Sequence, residues 1–380
     1  MNDYINEELS IFSHLVSIND KRDEIVLHLN LINGIGPVVI NFLTQSYTLS
    51  YDQLLVYYDF VSADFVSLGF SKKIADILYA GLRNKKRLEQ EYMLLKKHTT
   101  IFLTPFNILY PKNLQSVENK PPVLYVMTEN IKELSQIKKN LSCVGSRAAN
   151  DYAKKSLIFC IDDIENDTLR IISGGAIGGD TIAHETALKN NIITYSVFGS
   201  GLMHWYPASN YGLFKKILEK GGALLSPFCM DTQPSKNTFP SRNNVIAGIS
   251  DAIVVIQAAK KSGTFITAQA GLEFGRNIGI IPGPIHDLLS QGGYELIRQG
   301  ASLVTNKNDI YELLSLNNDM KKNENINIEQ KIINFCLQER LIEEIINEFN
   351  INKNDAMKIL FDLLRKKLIM QDVMGKWKKR

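Results

Sequence analysis

Apolar residues recur at three- and four-residue spacing through the first hundred positions, and the rhythm then changes. Ile5, Leu9, Ile11, Phe12 and Leu15 open the helical spacing, which lays an apolar stripe along one helix face. The pattern predicts a helical domain over 1–98. Within it, Leu31-Ile32-Asn33-Gly34-Ile35-Gly36-Pro37-Val38 sets Gly-x-Gly between two helical stretches. That spacing is similar to a helix–hairpin–helix or SAM-like turn, where glycines admit positive φ and backbone N–H groups can approach phosphate. The alternative is a small bundle whose glycines only turn the chain. Leu68-Gly69-Phe70-Ser71 is a weaker echo that opens a further helical run.

From 99 to 314 the periodicity is different. Short apolar runs at 141–144, 171–172, 194–198, 223–225, 252–256 and 278–281 alternate with helix-length amphipathic segments. Strands that are apolar on both faces, separated by helices, predict an α/β domain: a Rossmann-like, doubly wound parallel sheet covered on both sides. Residues 315–327 are polar and Asn-rich, a linker composition. Three helical runs near 328–338, 341–349 and 353–367, then a short hairpin over 368–377, predict a C-terminal winged helix over 328–380.

Composition narrows the classes. Hydrophobic residues make 45% and charged residues 22% of 380, so the chain is globular rather than disordered. No stretch approaches the apolar length of a membrane span, and Met1-Asn2-Asp3-Tyr4-Ile5-Asn6-Glu7-Glu8 lacks a signal peptide's basic start. A cytoplasmic protein without a membrane partner is expected. Cysteines 143, 160, 229 and 336 form no C-x-x-C pair and read as small buried residues. Net charge is only +3, with 20 basic and 17 acidic residues over 101–310. Any anion site is therefore local, not a global field.

Ligands of an open α/β sheet sit beyond the carboxyl ends of its strands, so the residues after each strand carry the candidate chemistry. Val144-Gly145-Ser146-Arg147 ends in one arginine whose guanidinium can hold a phosphate through two hydrogen bonds; the alternative is a surface arginine paired with an acid. Ser173-Gly174-Gly175-Ala176-Ile177-Gly178-Gly179-Asp180 opens a helix with four glycines in six residues, a phosphate cradle by its N–H groups or a turn for close packing. It matches neither G-x-G-x-x-G nor a P-loop. Asp180 reads as a helix cap. Gly199-Ser200-Gly201 and Trp205-Tyr206-Pro207 follow. Lys236 and Phe239, in Lys236-Asn237-Thr238-Phe239-Pro240-Ser241-Arg242-Asn243, supply a charge and a flat face, the pairing that grips single strands, unless Phe239 is core. Ser262-Gly263-Thr264 offers a second helix N-terminus to an anion. None of the six histidines has a nucleophile partner in an evident motif, and no G-x-S-x-G elbow or paired loop carboxylates occur. The site reads as one that binds phosphate without cleaving a bond, with no catalytic residue, metal or cofactor.

At these loops the sequence resembles the DprA (Smf) family of DNA-processing proteins of natural transformation. The matching run comprises Val144-Gly145-Ser146-Arg147, the Ser173-Gly174 loop with Asp180 and Ala183-His184, and Gly199-Ser200-Gly201-Leu202 with Tyr206-Pro207. It continues through Phe239-Pro240-Ser241-Arg242-Asn243, Ser262-Gly263-Thr264 with Thr267-Ala268, Pro282-Gly283 and Gly300-Ala301. The resemblance implies a Rossmann-like domain that binds and protects single-stranded DNA, forms a homodimer and loads the RecA recombinase. It carries DNA contact over to Arg147, the 173–178 loop, Lys236, Phe239, Arg242 and Asn243. The chain departs from the family at Asn244, where a second arginine is frequent, at Ser226-Pro227 and Gln257-Ala258, where carboxylates are frequent, and at Ile177, where an arginine is. The competing classes are a LOG-type nucleoside monophosphate phosphoribohydrolase and a nucleotide-sensing module. The first expects a glutamate just after Gly-Thr; here Phe265-Ile266-Thr267-Ala268-Gln269 follows and the next glutamate is Glu273.

Overall fold

A computed structural model describes residues 21–162, 164, 167–316, 329, 331–349, 351–372 and 375–379. The opening run at 5–15, the linker from 317 onward, positions 373–374 in the expected hairpin and Arg380 lie outside the described residues. The chain divides into two compact units, Met1–Leu314 and Ser315–Arg380.

In the first unit one sheet contains β1 (Thr100–Leu103), β2 (Leu124–Thr128), β3 (Lys139–Val144), β4 (Leu169–Ser173), β5 (Thr194–Val197), β6 (Ala223–Ser226), β7 (Ala252–Val255), β8 (Asn277–Ile280) and β9 (Ser302–Leu303). Their order is β1-β2-β6-β5-β4-β3-β7-β8-β9. β3 through β9 pair in parallel, which requires the helical crossovers that separate them in sequence. β2 runs antiparallel to β6, with Tyr125 opposite Ser226, and β1 folds back antiparallel on β2. This antiparallel edge is a difference from the all-parallel expectation. β9 is only two exposed residues, too short to leave a pattern.

Successive strand residues point to opposite faces, and the core divides accordingly. Tyr125 and Leu224 join Phe198, Phe214 and the N-terminal helices' Ile25, Leu27, Ile40, Leu54 and Leu78 in one cluster. Val126 and Leu225 join Ile253, Val245 and Ile278 in the other. Polar links accompany the first. Arg87 donates to both carboxylate oxygens of Asp231 at 2.9 and 2.6 Å, and buried Glu91 accepts the Met230 N–H at 2.8 Å. Burial raises the Glu91 carboxyl, while the Met230 N–H works against that shift. The Gly-x-Gly segment joins helices Lys21–Asn30 and Pro37–Leu43: Gly34 has φ +87° and Gly36 precedes a proline at the helix start. At the second echo Ser71 caps helix Lys72–Arg83 by accepting the Ile74 N–H.

The second unit has a helix over 331–335, helices Ile342–Phe349 and Lys353–Arg365, and a hairpin of β10 (Ile369–Gln371) and β11 (Trp377–Lys379), the element order of a winged helix. Ile332, Ile345, Leu360, Leu363 and Trp377 fill its core. Its basic residues stand among acids: Lys366 lies 2.8 Å from Glu329, and Lys378 lies 3.4 Å from Glu339. Among the described residues no helix is long and apolar enough to cross a membrane.

Candidate nucleic-acid interface

β3 has β4 on one side and β7 on the other, so strand order reverses there and a crevice opens beyond the carboxyl ends. Three loops meet in it. The Ser146 N–H donates to the Gln257 carbonyl at 2.8 Å, and the Gly179 N–H donates to the Ser146 carbonyl at 2.9 Å. The β3 loop is thus tied to those after β7 and β4. This needs backbone approach: a Cβ on Gly145 would lie 2.9 Å from Gly179 Cα. Gly178, at φ +78°, turns the chain into helix Gly179–Lys189.

The loops enclose two adjoining recesses that share Arg147, Ala176, Phe239 and Arg242. The first, about 340 Å³, is bounded by Gly145, Ser146, Asn243, Ser262, Gly263 and Thr264. The second is bounded by Gly174, Ile177, Gly199, Ser200, Tyr206 and Pro207. Arg147 is exposed and its guanidinium carbon lies 5.4 Å from the Phe239 ring centroid, within cation–π range. Phe239 is half-buried in the first turn of helix Thr238–Ile249. It backs onto Gly199, where a Cβ would lie 2.8 Å from the ring, and stands 6.1 Å from the Tyr206 ring. Thr238 holds that turn by donating to the Gly199 carbonyl at 2.5 Å.

Arg242 lies beneath this surface. It is 5% exposed, donates to the Gly174 carbonyl and, at 2.9 Å, to that of Val197, and approaches Asp180 to 3.9 Å. Desolvation raises the Asp180 carboxyl and lowers the Arg242 guanidinium, each opposed by the other's charge. The Asp180 carboxylate accepts the Ala176 N–H at 3.1 Å. It therefore braces the glycine loop, while Gly178 occupies the cap position. His184 is also buried. Thr194 donates its hydroxyl proton to the Ile171 carbonyl, so its oxygen accepts from His184 Nδ1 at 2.7 Å, and Nε2 has no partner. Burial, helped by the Arg242 charge, lowers the His184 pKa to about 3.

The crevice collects Gly145, Ser146, Arg147, Gly174, Ala176, Phe239, Asn243, Ser262, Gly263 and Thr264. Other expected contacts face elsewhere. Ser173 is buried and its hydroxyl donates to the Cys143 carbonyl at 2.6 Å. Gly175 presents its Cα hydrogens to Ser196 and Phe214, and Gly178 packs on the carbonyls of Ser146 and Arg147. Arg242 reaches the recesses only as a buried wall. Lys236 is exposed on the loop before Phe239 and lines neither recess. The Ser262 hydroxyl oxygen caps the helix by accepting the Phe265 N–H at 3.2 Å.

The departures have structural places. Gln257 is buried; its carbonyl oxygen accepts the Asn150 N–H at 3.2 Å and its amide donates to Asp287 at 3.3 Å, a donation a glutamate carboxylate cannot make. Ser226 donates to the Ser200 carbonyl at 2.7 Å. Ile177 and Asn244 are exposed. Sequence reasoning passed over Asn210, which donates to the Gly175 carbonyl and to Thr181, both at 2.9 Å. It also passed over exposed Lys260 and Lys261 beside Ser262, whose signal was a plain pair of lysines abutting a candidate anion loop.

The family model of DNA recombination-mediator protein A matches residues 101–315. The chain is 36% identical to Protein Smf of Escherichia coli over 231 residues, which are 60% of this chain and 61% of that protein. It is 38% identical to the DNA processing protein DprA of Streptococcus pneumoniae over 54% of this chain and 72% of that one. Among solved structures it is similar to DprA from Streptococcus pneumoniae, with TM-score 0.59 and 30% identity over 73% of this chain and 98% of that one. A further likeness is to DNA processing protein A from Helicobacter pylori, whose structure concerns a single-stranded DNA binding mode. Its TM-score is 0.50 and its identity 28%, over 58% and 96% of the two chains.

Proposed function

The chain belongs to the DNA recombination-mediator protein A family, and we propose from that premise that its crevice binds single-stranded DNA, protecting incoming DNA in the cytoplasm and loading RecA recombinase onto it during natural transformation, with the protein acting as a homodimer. The observation that carries the reading is the exposed Arg147 guanidinium 5.4 Å over the half-buried Phe239 ring, at the mouth of both recesses. A cation and an aromatic face at one point suit a flexible strand that offers phosphate and an unstacked base together. In a duplex the base faces are covered by their neighbours. Lys236 adds charge on the adjoining loop and Asn243 adds an amide for base or phosphate oxygens.

The same geometry supports binding over hydrolysis. Among the described residues Asp180 is the one carboxylate lining the two recesses, and it is buried, tied to the Ala176 N–H and paired with Arg242. General acid–base work needs a carboxyl within reach of substrate. Glu273 ends helix Gly263–Glu273, about 15 Å along the axis from its first residue.

The test compares a labelled single strand, the same sequence as duplex, and a nucleoside monophosphate by anisotropy at several salt concentrations. The single strand should bind tightest. Arg147→Ala and Lys236→Ala should each weaken it and lower the salt slope by roughly 0.7 per lost phosphate contact. Unchanged affinity in both variants overturns the assignment.

A further inference from the structure

Beside the Phe239 recess lies a third hollow of about 530 Å³, lined by Trp205, Tyr206, Tyr211, His204, His98 and Gln233 among others. The two hollows have Tyr206 and Pro234 as common wall. Resting on the reading of the Arg147–Phe239 crevice as a single-strand site, we propose that this aromatic hollow takes the bases next along the same strand, so that one DNA molecule runs from Phe239 across Tyr206 to Trp205 and Tyr211.

Three features point to bases as the occupant. The rings form two neighbouring pairs, Phe239 with Tyr206 at 6.1 Å and Trp205 with Tyr211 at 4.8 Å, joined by the adjacent Trp205 and Tyr206 in the wall of one hollow. Tyr206 and Tyr211 leave 48% and 49% of their surface in water, while Trp205 is braced from behind by Phe214 at 6.1 Å. Rigid, half-wet rings are what sequence-tolerant stacking uses. Charge accompanies them: the Lys215 ammonium lies 5.1 Å from the Tyr211 ring centroid, placed to meet a phosphate between stacked bases. Hydrogen-bonding edges are present too. A His204 ring nitrogen lies 3.0 Å from the Gln233 amide, and His98 Nε2 is buried without a partner. A protein helix seeking an apolar groove would meet too many polar edges here, and a lone nucleotide would leave most of the run uncovered.

The chain has two tryptophans, Trp205 and Trp377, and Trp377 is 1% exposed. The experiment uses full-length protein carrying Trp377→Phe, so that Trp205 is the one tryptophan that emits, titrated with oligothymidylates from about 4 to about 16 nucleotides, the range of site sizes such grooves span. Emission from Trp205 should be quenched only beyond the length that first saturates binding. In the chain that keeps both tryptophans, Tyr211→Ala should weaken long oligonucleotides about tenfold and leave the shortest unchanged. If long strands bind, Arg147→Ala still weakens them, yet neither Trp205 emission nor Tyr211→Ala has any effect, the hollow is outside the path and this inference falls while the crevice reading stands. If no oligonucleotide binds at all, both fall. Quenching by a mononucleotide as strong as that by long strands would make the hollow a separate nucleotide pocket and overturn the continuous path.

Discussion

Replacing Phe239 with alanine removes a ring with four neighbours: Gly199 behind it, Tyr206 beside it, and the guanidinium carbons of Arg147 and Arg242 at 5.4 and 5.8 Å from its centroid. If a base stacks there, the loss is about 1–3 kcal/mol, or roughly a 5- to 150-fold weaker Kd. The Arg147–ring attraction adds about 0.5–1 kcal/mol at an exposed site, so Phe239→Ala and Arg147→Ala should be less than additive. The number of neutralised phosphates does not change with the ring. The salt slope of Phe239→Ala should therefore match the parent, whereas that of Arg147→Ala should be shallower. Stability separates stacking from core packing. A fully buried Phe→Ala change costs about 3–5 kcal/mol; the half-buried ring should cost about 2 kcal/mol in urea unfolding. The assay is anisotropy of a labelled oligothymidylate at three salt concentrations, beside urea melts of the same preparations. Unfolding that costs the full core amount, with the folded fraction binding like the parent, refutes the reasoning and makes Phe239 a packing residue.

Other outcomes follow from the same geometry. His184 titrates near 3 when folded against 6.5 in the unfolded chain, so the unfolded state takes the proton first and stability is lost as pH falls below 6.5. Between pH 6.5 and 5.0 that is about 2 kcal/mol, and urea melts of His184→Gln should lack this increment. A fragment ending at Leu314, the edge of the first compact unit, should stay folded and keep most single-strand affinity, any deficit shrinking as salt rises; loss at all salt concentrations in a folded fragment would move the main site to the winged helix. Incubation with nucleoside monophosphates should release no base, and sustained release abolished by Arg147→Ala would revive the phosphoribohydrolase class.

The parallel strands were legible because both faces are buried: 252–256 is apolar throughout, 141–144 and 194–198 are broken only by Ser142, Thr194 and Ser196, and no amphipathic helix reads that way. Thr100-Ile101-Phe102-Leu103 and Leu124-Tyr125-Val126-Met127 are as apolar, but only the four-residue helix Lys112–Gln115 lies between β1 and β2, so no strand–helix–strand spacing marks them. Their antiparallel edge follows from pairing, which composition does not encode. At the crevice, residue type marked the loops that meet there but not side-chain direction. Arg242 shares a motif with Phe239, and Ser173 with Gly174, yet Arg242 and Ser173 turn inward to strand-end carbonyls. Ser173 ends β4 and Arg242 lies in the second turn of helix Thr238–Ile249, and residue type alone does not record which way either side chain points. Gln257 and Asn210 were invisible as a pair of loop ties because their partners, Asn150 with Asp287 and Gly175 with Thr181, are distant in sequence.

That inward turn of Arg242 changes which groups of the crevice are left to meet a strand in the proposed reading. Two N–H groups of the glycine loop are already taken, Ala176 by the Asp180 carboxylate and Gly179 by the Ser146 carbonyl. The Arg242 charge is countered by Asp180 and used to fix the carbonyls of Gly174 and Val197. A buried pair of this kind contributes little net stability but is costly to break, because removing one partner strands the other's charge. Its effect is rigidity: it locks the floor on which Phe239 and the glycine loop stand. Attraction for phosphate then falls to exposed groups, Arg147 first, with Lys236, Lys260 and Lys261 on the adjoining loops. Few cations mean few released counterions, hence a shallow salt dependence. On the proposed single-strand reading, the preference over duplex comes mainly from aromatic faces, which no duplex can reach without unstacking its bases.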